Sequence, residues 1–296
     1  MVSKSAAALS CGTVLALTLI CLGQRSAQAQ AAGLGDVYGP FNPVPDAGLR
    51  PLTTDRPGKS SSPVTVDAGH FQLEADLFNY SYTDLDGTTT RAWSTPNVLL
   101  KYGVSRTIDV EVAVSGINQF EYHNHATDQV AKAYGIGDTW VGAKFNIFGD
   151  DPGDGPPNQA FAIIPFVKIP TAARGLGNHL IEATVALPYQ INLPDNWSLV
   201  LENADGLRAN HNGNRYEGDY QAMVNLSHPL FFDSLTAQVE FFDDYGGDPA
   251  IGHAMTFDPA VQWSVLPNLA FDMGDYIGID SKAPAENPYV GISARF

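Results

Sequence analysis

The chain has 296 residues, of which 44% are hydrophobic, 10% aromatic and only 16% charged, with 28 Gly, 20 Pro and a net charge of −16. So acidic a surface repels phosphate, which excludes nucleic acid as a partner. Few charges with many aromatics, Gly and Pro suit one large all-β domain or two ordinary ones.

The first element is residues 1–29, with a basic Lys4, an apolar run from Ala6 to Leu22, and Ala27 and Ala29 placed as A-x-A. This pattern predicts a secretory signal peptide cleaved after Ala29. The apolar run is short for a membrane anchor, which needs ~20 residues. Ile20 before Cys21 does not suit lipoprotein processing. Both cysteines, Cys11 and Cys21, lie in the signal, so the exported chain has no disulfide framework, and 14 basic residues remain against 32 acidic ones.

Residues 30–68 are crowded with breakers, among them Pro40, Pro43, Pro45, Pro51, Pro57 and Pro63, and read as an irregular N-terminal segment. From Gly69 onward the texture changes to alternation. Ile108, Val110, Val112 and Val114 alternate with Asp109, Glu111, Ala113 and Ser115; Leu235, Ala237, Val239 and Phe241 alternate with Thr236, Gln238, Glu240 and Phe242. Strand side chains alternate with period two, so each stretch presents an apolar face and a polar one.

Twelve such strands are expected, at 69–82, 90–103, 107–117, 136–148, 159–169, 180–191, 197–205, 217–228, 234–243, 252–265, 268–277 and 287–296. Their connections tend to alternate in length. Tight ones are expected at 104–106, 192–196 and 266–268, and long ones at 83–89, 118–135, 170–179, 206–216, 244–251 and 278–286, with a ten-residue exception at 149–158.

An even number of half-apolar strands fits a transmembrane antiparallel β-barrel over 69–296, in which closure pairs every backbone group that lipid cannot. Segments of about ten residues match a tilted strand crossing ~30 Å of hydrocarbon. A soluble sandwich also alternates, but the missing cysteines, the long-short connections and the closing YVGISARF weigh against it. In that last stretch Val290, Ile292, Ala294 and Phe296 face lipid, while Gly291, Ser293 and Arg295 face the lumen.

The polar parity supplies the lumen-lining candidates for a solute pathway: Glu74, Asp76, Lys101, Asp109, Glu111, Lys144, Lys168, Glu182, Glu202, Glu240, Asp258, Asp272 and Arg295. Arg or Lys on the lipid face costs ~2–4 kcal/mol at the midplane, so segregation of charge to one parity is informative. Nine of these are acidic and four basic, which favours neutral or cationic solutes if the lumen is open and a stabilising ion-pair network if it is filled. Asp55 and Arg56, in TTDRP, are candidates for a constriction if the segment before the first strand tucks inside. Trp140, Phe166 and Phe242 share the inward parity and offer stacking faces or packing.

Other chemistry has weak support. His123 and His125, in EYHNHATD, lack a framework for metal, so no metal or other cofactor is expected. Ser227 and His228 are neighbours on opposite faces of one strand and cannot form a nucleophile–base pair, and no phosphate-binding loop is present. Enzyme activity is not expected.

Several stretches resemble one family, the "MetA-pathway of phenol degradation" outer-membrane proteins: LTTDRPG, VDAGHFQLEADLFNYSY, LLKYGVSRTIDVEV, GIGDTWVGAKFNIFGDD, PFVKIPTA, LPNLAFDMG and YVGISARF, in order along the chain. The resemblance implies a barrel in the outer membrane of a Gram-negative bacterium that helps small, often aromatic, solutes across. It also implies outer-membrane lipid and the outer-membrane insertion machinery as partners, with Phe296 as the insertion signal. The alternative functions are a structural or adhesive barrel without transport and, with less support, a lipid-active enzyme.

Overall fold

The computed structural model describes residues 38–151, 153–248 and 252–296, so the signal-peptide reading of 1–29 lies outside the described residues. Alternation becomes strand almost throughout: β1 (Phe71–Leu85), β2 (Thr88–Ser105), β3 (Ile108–Asn124), β4 (Gln129–Ile136), β5 (Thr139–Phe148), β6 (Gln159–Ile169) and β7 (Glu182–Asn192). The series continues with β8 (Ser198–Ala209), β9 (Tyr216–Pro229), β10 (Leu235–Gly246), β11 (His253–Leu266), β12 (Leu269–Asp275), β13 (Ile277–Gly278) and β14 (Pro288–Arg295). Helix among the described residues is limited to two short 3-10 turns, Asp46–Gly48 and Pro194–Asn196.

All strand pairs are antiparallel neighbours, and the sheet closes through β1 against β14. β4 and β5 both pair with β3, on either side of a break at Gly137-Asp138, and β12 and β13 both pair with β11. Each couple is therefore one wall position, giving a closed twelve-strand barrel with two extra strands. Closure leaves no edge for the backbone to expose.

Two expected long connections are strand instead. The stretch 83–89 is a tight turn at Asp86-Gly87, with φ of 51° and 72°, the left-handed pair that a two-residue hairpin requires. The stretch 118–135 is a hairpin of β3 and β4 around His125–Asp128. One face mixes Gln119, Glu121, His123 and Lys132 with Val130 and Tyr134, and the other mixes Asn118 and Asn124 with Phe120, Tyr122, Ala131 and Ala133, so the clean polar–apolar alternation stops while the hydrogen-bond ladder continues. Connections 170–181, 210–215 and 279–287, with Gly247, Asp248 and Gly252, are on the same side as these hairpin tips; 106–107, 149–151 with 153–158, 193–197, 230–234 and 267–268 are on the other.

The outward face carries Val112, Val141, Val167, Val185, Leu201, Val224 and Val239, all exposed and apolar, the surface a bilayer requires. A bulge between Asp76 and Phe78 turns Leu77 and Phe78 outward together. The inward face is polar over most of the circumference, with an apolar arc of Ala162, Ile164, Ala186, Ala204 and Met223 on β6 to β9, against which Phe166 and Phe242 pack.

Candidate functional site

All thirteen lumen candidates, from Glu74 to Arg295, have buried inward side chains. What they meet there is the chain itself. Residues 50–67 run through the barrel interior without regular structure, and irregular backbone at membrane depth needs its amides satisfied by protein.

The wall carboxylates do this in sequence. Glu74 accepts from the amides of Asp55 and Arg56 at 3.0 Å, Glu240 from Lys59 at 2.7 Å and Ser60 at 3.0 Å, and Glu202 from Ser61 at 2.6 Å. Asp109 accepts from the Val66 amide at 3.0 Å, and Asp150, in the 149–158 turn, from Thr65 at 3.2 Å. The acidic excess that reads from sequence as a preference for cations is in large part a set of acceptors for one backbone.

Side-chain ion pairs hold the segment from opposite walls. Asp55 lies between two ammonium groups, Lys101 Nζ at 2.5 Å and Lys144 Nζ at 2.9 Å. Burial would raise the Asp55 carboxyl, but those two cations outweigh it and hold it well below the ordinary carboxylate range. Arg56 reaches the other way, to Asp272 at 2.7 Å and to Asp76. Asp76, Gly291 and Asp272 form one register row across β1, β14 and β12, and the guanidinium lies over Gly291, where any Cβ would collide with it.

Lys59 bonds Asp258 at 2.7 Å, and Arg295 bonds Asp67 at 3.0 Å and the Arg50 carbonyl at 2.8 Å. Three candidates stand apart from the segment. Lys168 and Glu182 pair with each other at 2.6 Å, and Glu111 lies 3.5 Å from Lys144.

Cavities flank the segment on both sides. One of about 440 Å³ is lined by Asp55, Arg56, Lys59, Asp76, Trp140 and Phe166. The other, of about 200 Å³, is lined by Thr54, Ser61, Gln190, Asn225, Gln238 and Gln262 on the side of the 193–197 turn. Asp55, Arg56, Gly58 and Ser61 border both. At Gly58 a Cβ would lie 2.8 Å from Glu240 Oε2 and 2.9 Å from Asn225 Nδ2, so a side chain there would displace those groups.

Sequence reasoning missed Arg50, Lys59, Asp67 and Asp150, which anchor the segment, and Tyr276 and Tyr289, whose hydroxyls donate to the Pro57 carbonyl at 3.3 and 2.6 Å. The inward parity of Tyr276 and Tyr289, shared with Asp272 and Gly291, was a usable signal for the tyrosines. Elsewhere Ser227 lines the inner cavity while His228 lies tilted against Trp197, ring centroids 4.5 Å apart. His123 lies 4.4 Å from His125 and 3.1 Å from Asp128, and no metal-binding group of three ligands occurs among the described residues. Phe296 is exposed beside β1, its amide donating to the Phe71 carbonyl at 2.8 Å.

The fold is similar to that of an outer membrane channel from Pseudomonas putida F1, with a TM-score of 0.55 and 12% identity over 77% of this chain and 95% of that chain. The translocator domain of the autotransporter NalP from Neisseria meningitidis has a TM-score of 0.47 at 12% identity, over 76% of this chain and 88% of that one. No curated protein shows a sequence match. The model of the family described as "Putative MetA-pathway of phenol degradation" matches residues 54–296, the inner segment from Thr54 together with the whole barrel, and the chain belongs to that family.

Proposed function

We propose that the protein is an outer-membrane channel of a Gram-negative bacterium for small solutes, exported with a cleaved signal at 1–29, in which residues 54–61 restrict the lumen. The observation that carries this reading is the pair of cavities, about 440 and 200 Å³, separated by Asp55, Arg56, Gly58 and Ser61. A restriction held by side-chain pairs and amide bonds, with space on either side, can move without breaking the barrel ladder. Trp140 and Phe166 on one side and amides and hydroxyls on the other suit a solute with both apolar and polar parts. Phe296 is on this reading the residue offered to the insertion machinery.

Deleting residues 30–60 from the exported chain tests the proposal. Single-channel conductance in planar bilayers should rise, while the barrel keeps its heat-modifiable migration. A second reading, a structural barrel whose inner segment is filler, has the saturation of the wall charges in its favour. In that case the deletion lowers the unfolding temperature and leaves conductance unchanged.

A further inference from the structure

Lys59 sits in surroundings that belong to the barrel and not to the inner segment. Its Nζ lies 2.7 Å from Asp258 Oδ2 and 2.6 Å from Thr256 Oγ1, both on β11. The same nitrogen is 4.4 Å from the Phe242 ring centroid, on β10, and 3.9 Å from that of Tyr276, between β12 and β13. A carboxylate, a hydroxyl and two aromatic faces around one ammonium make an aromatic cage, in which ring quadrupoles and one fixed charge attract a cation together.

The cage walls are held by contacts other than those to the Lys59 side chain, the Tyr276 hydroxyl donating to the Pro57 carbonyl. Tyr276 stacks on Tyr289 at 4.5 Å and 28°, and Asp258 lies on β11 opposite Glu240 of β10. Asp258 Oδ1 is buried with no hydrogen-bond partner among the described residues, so the carboxylate has an unused acceptor. The Lys59 side chain is 23% exposed and lines the 440 Å³ cavity, so a solute there meets Lys59 first and reaches the four cage residues behind it only as Lys59 withdraws. Burial lowers the Lys59 ammonium from the ordinary lysine value against the pull of Asp258, which marks an occupant held at some cost.

We infer that Phe242, Thr256, Asp258 and Tyr276 form a binding site for a small primary alkylammonium ion, which Lys59 fills as an internal ligand when no such solute is present. The inference rests on the channel reading for its consequence alone: arrival of the cation and release of Lys59 from the restriction are one event. It narrows the solute class from small and amphipathic to amine-bearing.

The probe is n-butylammonium, which reproduces the lysine side chain, with sodium at equal concentration as control. In the full exported chain carrying Lys59→Ala, the cage is vacated. n-Butylammonium should then raise the temperature of the heat-modifiable transition above the sodium control while conductance stays elevated, because a free cation fills the cage without tethering the restriction. The concentration for half effect should be at least tenfold lower than in wild type, where Lys59 competes. Adding Asp258→Asn should abolish this stabilisation. If Lys59→Ala does not fold, wild type and Asp258→Asn are compared, with n-butylammonium raising conductance in the first only.

Equal responses to n-butylammonium and sodium overturn the site while leaving the channel intact. Stabilisation by n-butylammonium in a protein that conducts in no variant upholds the site and overturns the channel.

Discussion

Arg56 shows how a single residue joins distant parts of the wall. Its guanidinium forks between Asp76 on β1 and Asp272 on β12 because Gly291, on the strand between them, has no side chain. Gly291→Val should therefore expel the guanidinium and raise conductance while leaving heat-modifiable folding in place, measured on the same preparation. Removing one partner of a buried pair costs ~3–5 kcal/mol, so Arg56→Ala should lower the thermal unfolding temperature clearly, and more than Arg56→Lys does. Asp55 supplies the pH dependence. Its carboxyl is held below its ordinary value of 3.8, so its contribution to stability is full above that value and is lost only as pH falls through the lower folded one. The difference in conductance between wild type and Asp55→Asn should accordingly stay constant between pH 7 and pH 4, and a difference that closes within that interval would mean that Asp55 does not anchor the segment as a carboxylate.

At the scale of the strands, the two ends of the barrel differ. β2 and β3 run 18 and 17 residues and extend past the apolar belt in hairpins with β1 and β4, whereas the other end has two-residue turns at 106–107 and 267–268. Long projections belong outside in barrels of this type. Trypsin added to intact cells should cut at Arg174, Arg215 or Lys282, in the connections on the hairpin side, and should spare Arg106 in the opposite turn. Cleavage at Arg106 alone would invert the orientation. Reading 83–89 and 118–135 as loops failed for one reason: loss of clean alternation marks the edge of the lipid belt, and the hydrogen-bond ladder continues past it.

For the molecule as a whole, the inner segment and the wall are one electrostatic unit. Arg56 is shared between Asp76 and Asp272 and Lys59 pairs with Asp258, while Glu74, Glu202 and Glu240 accept from backbone amides of the segment. Deleting 30–60 strips those partners away and leaves a lumen with more carboxylates than cations. Under a salt gradient of potassium chloride, the reversal potential of the deletion variant should move toward the potassium equilibrium value relative to the full chain. An unchanged or anion-directed reversal potential would show that the wall acids do not face the permeation path.

The sequence alone determined which residues point inward, because period two is a local property and lipid tolerates little charge on the outer face. Parity thus placed Glu74, Lys144, Asp272 and the rest inside the barrel. It could not say which of them meet. That depends on inter-strand register, which set Asp76, Gly291 and Asp272 in one row, and on the path of a segment with no period at all. The bond between Arg56 and Asp272 spans 216 residues, and only closure of the barrel brings its two ends together.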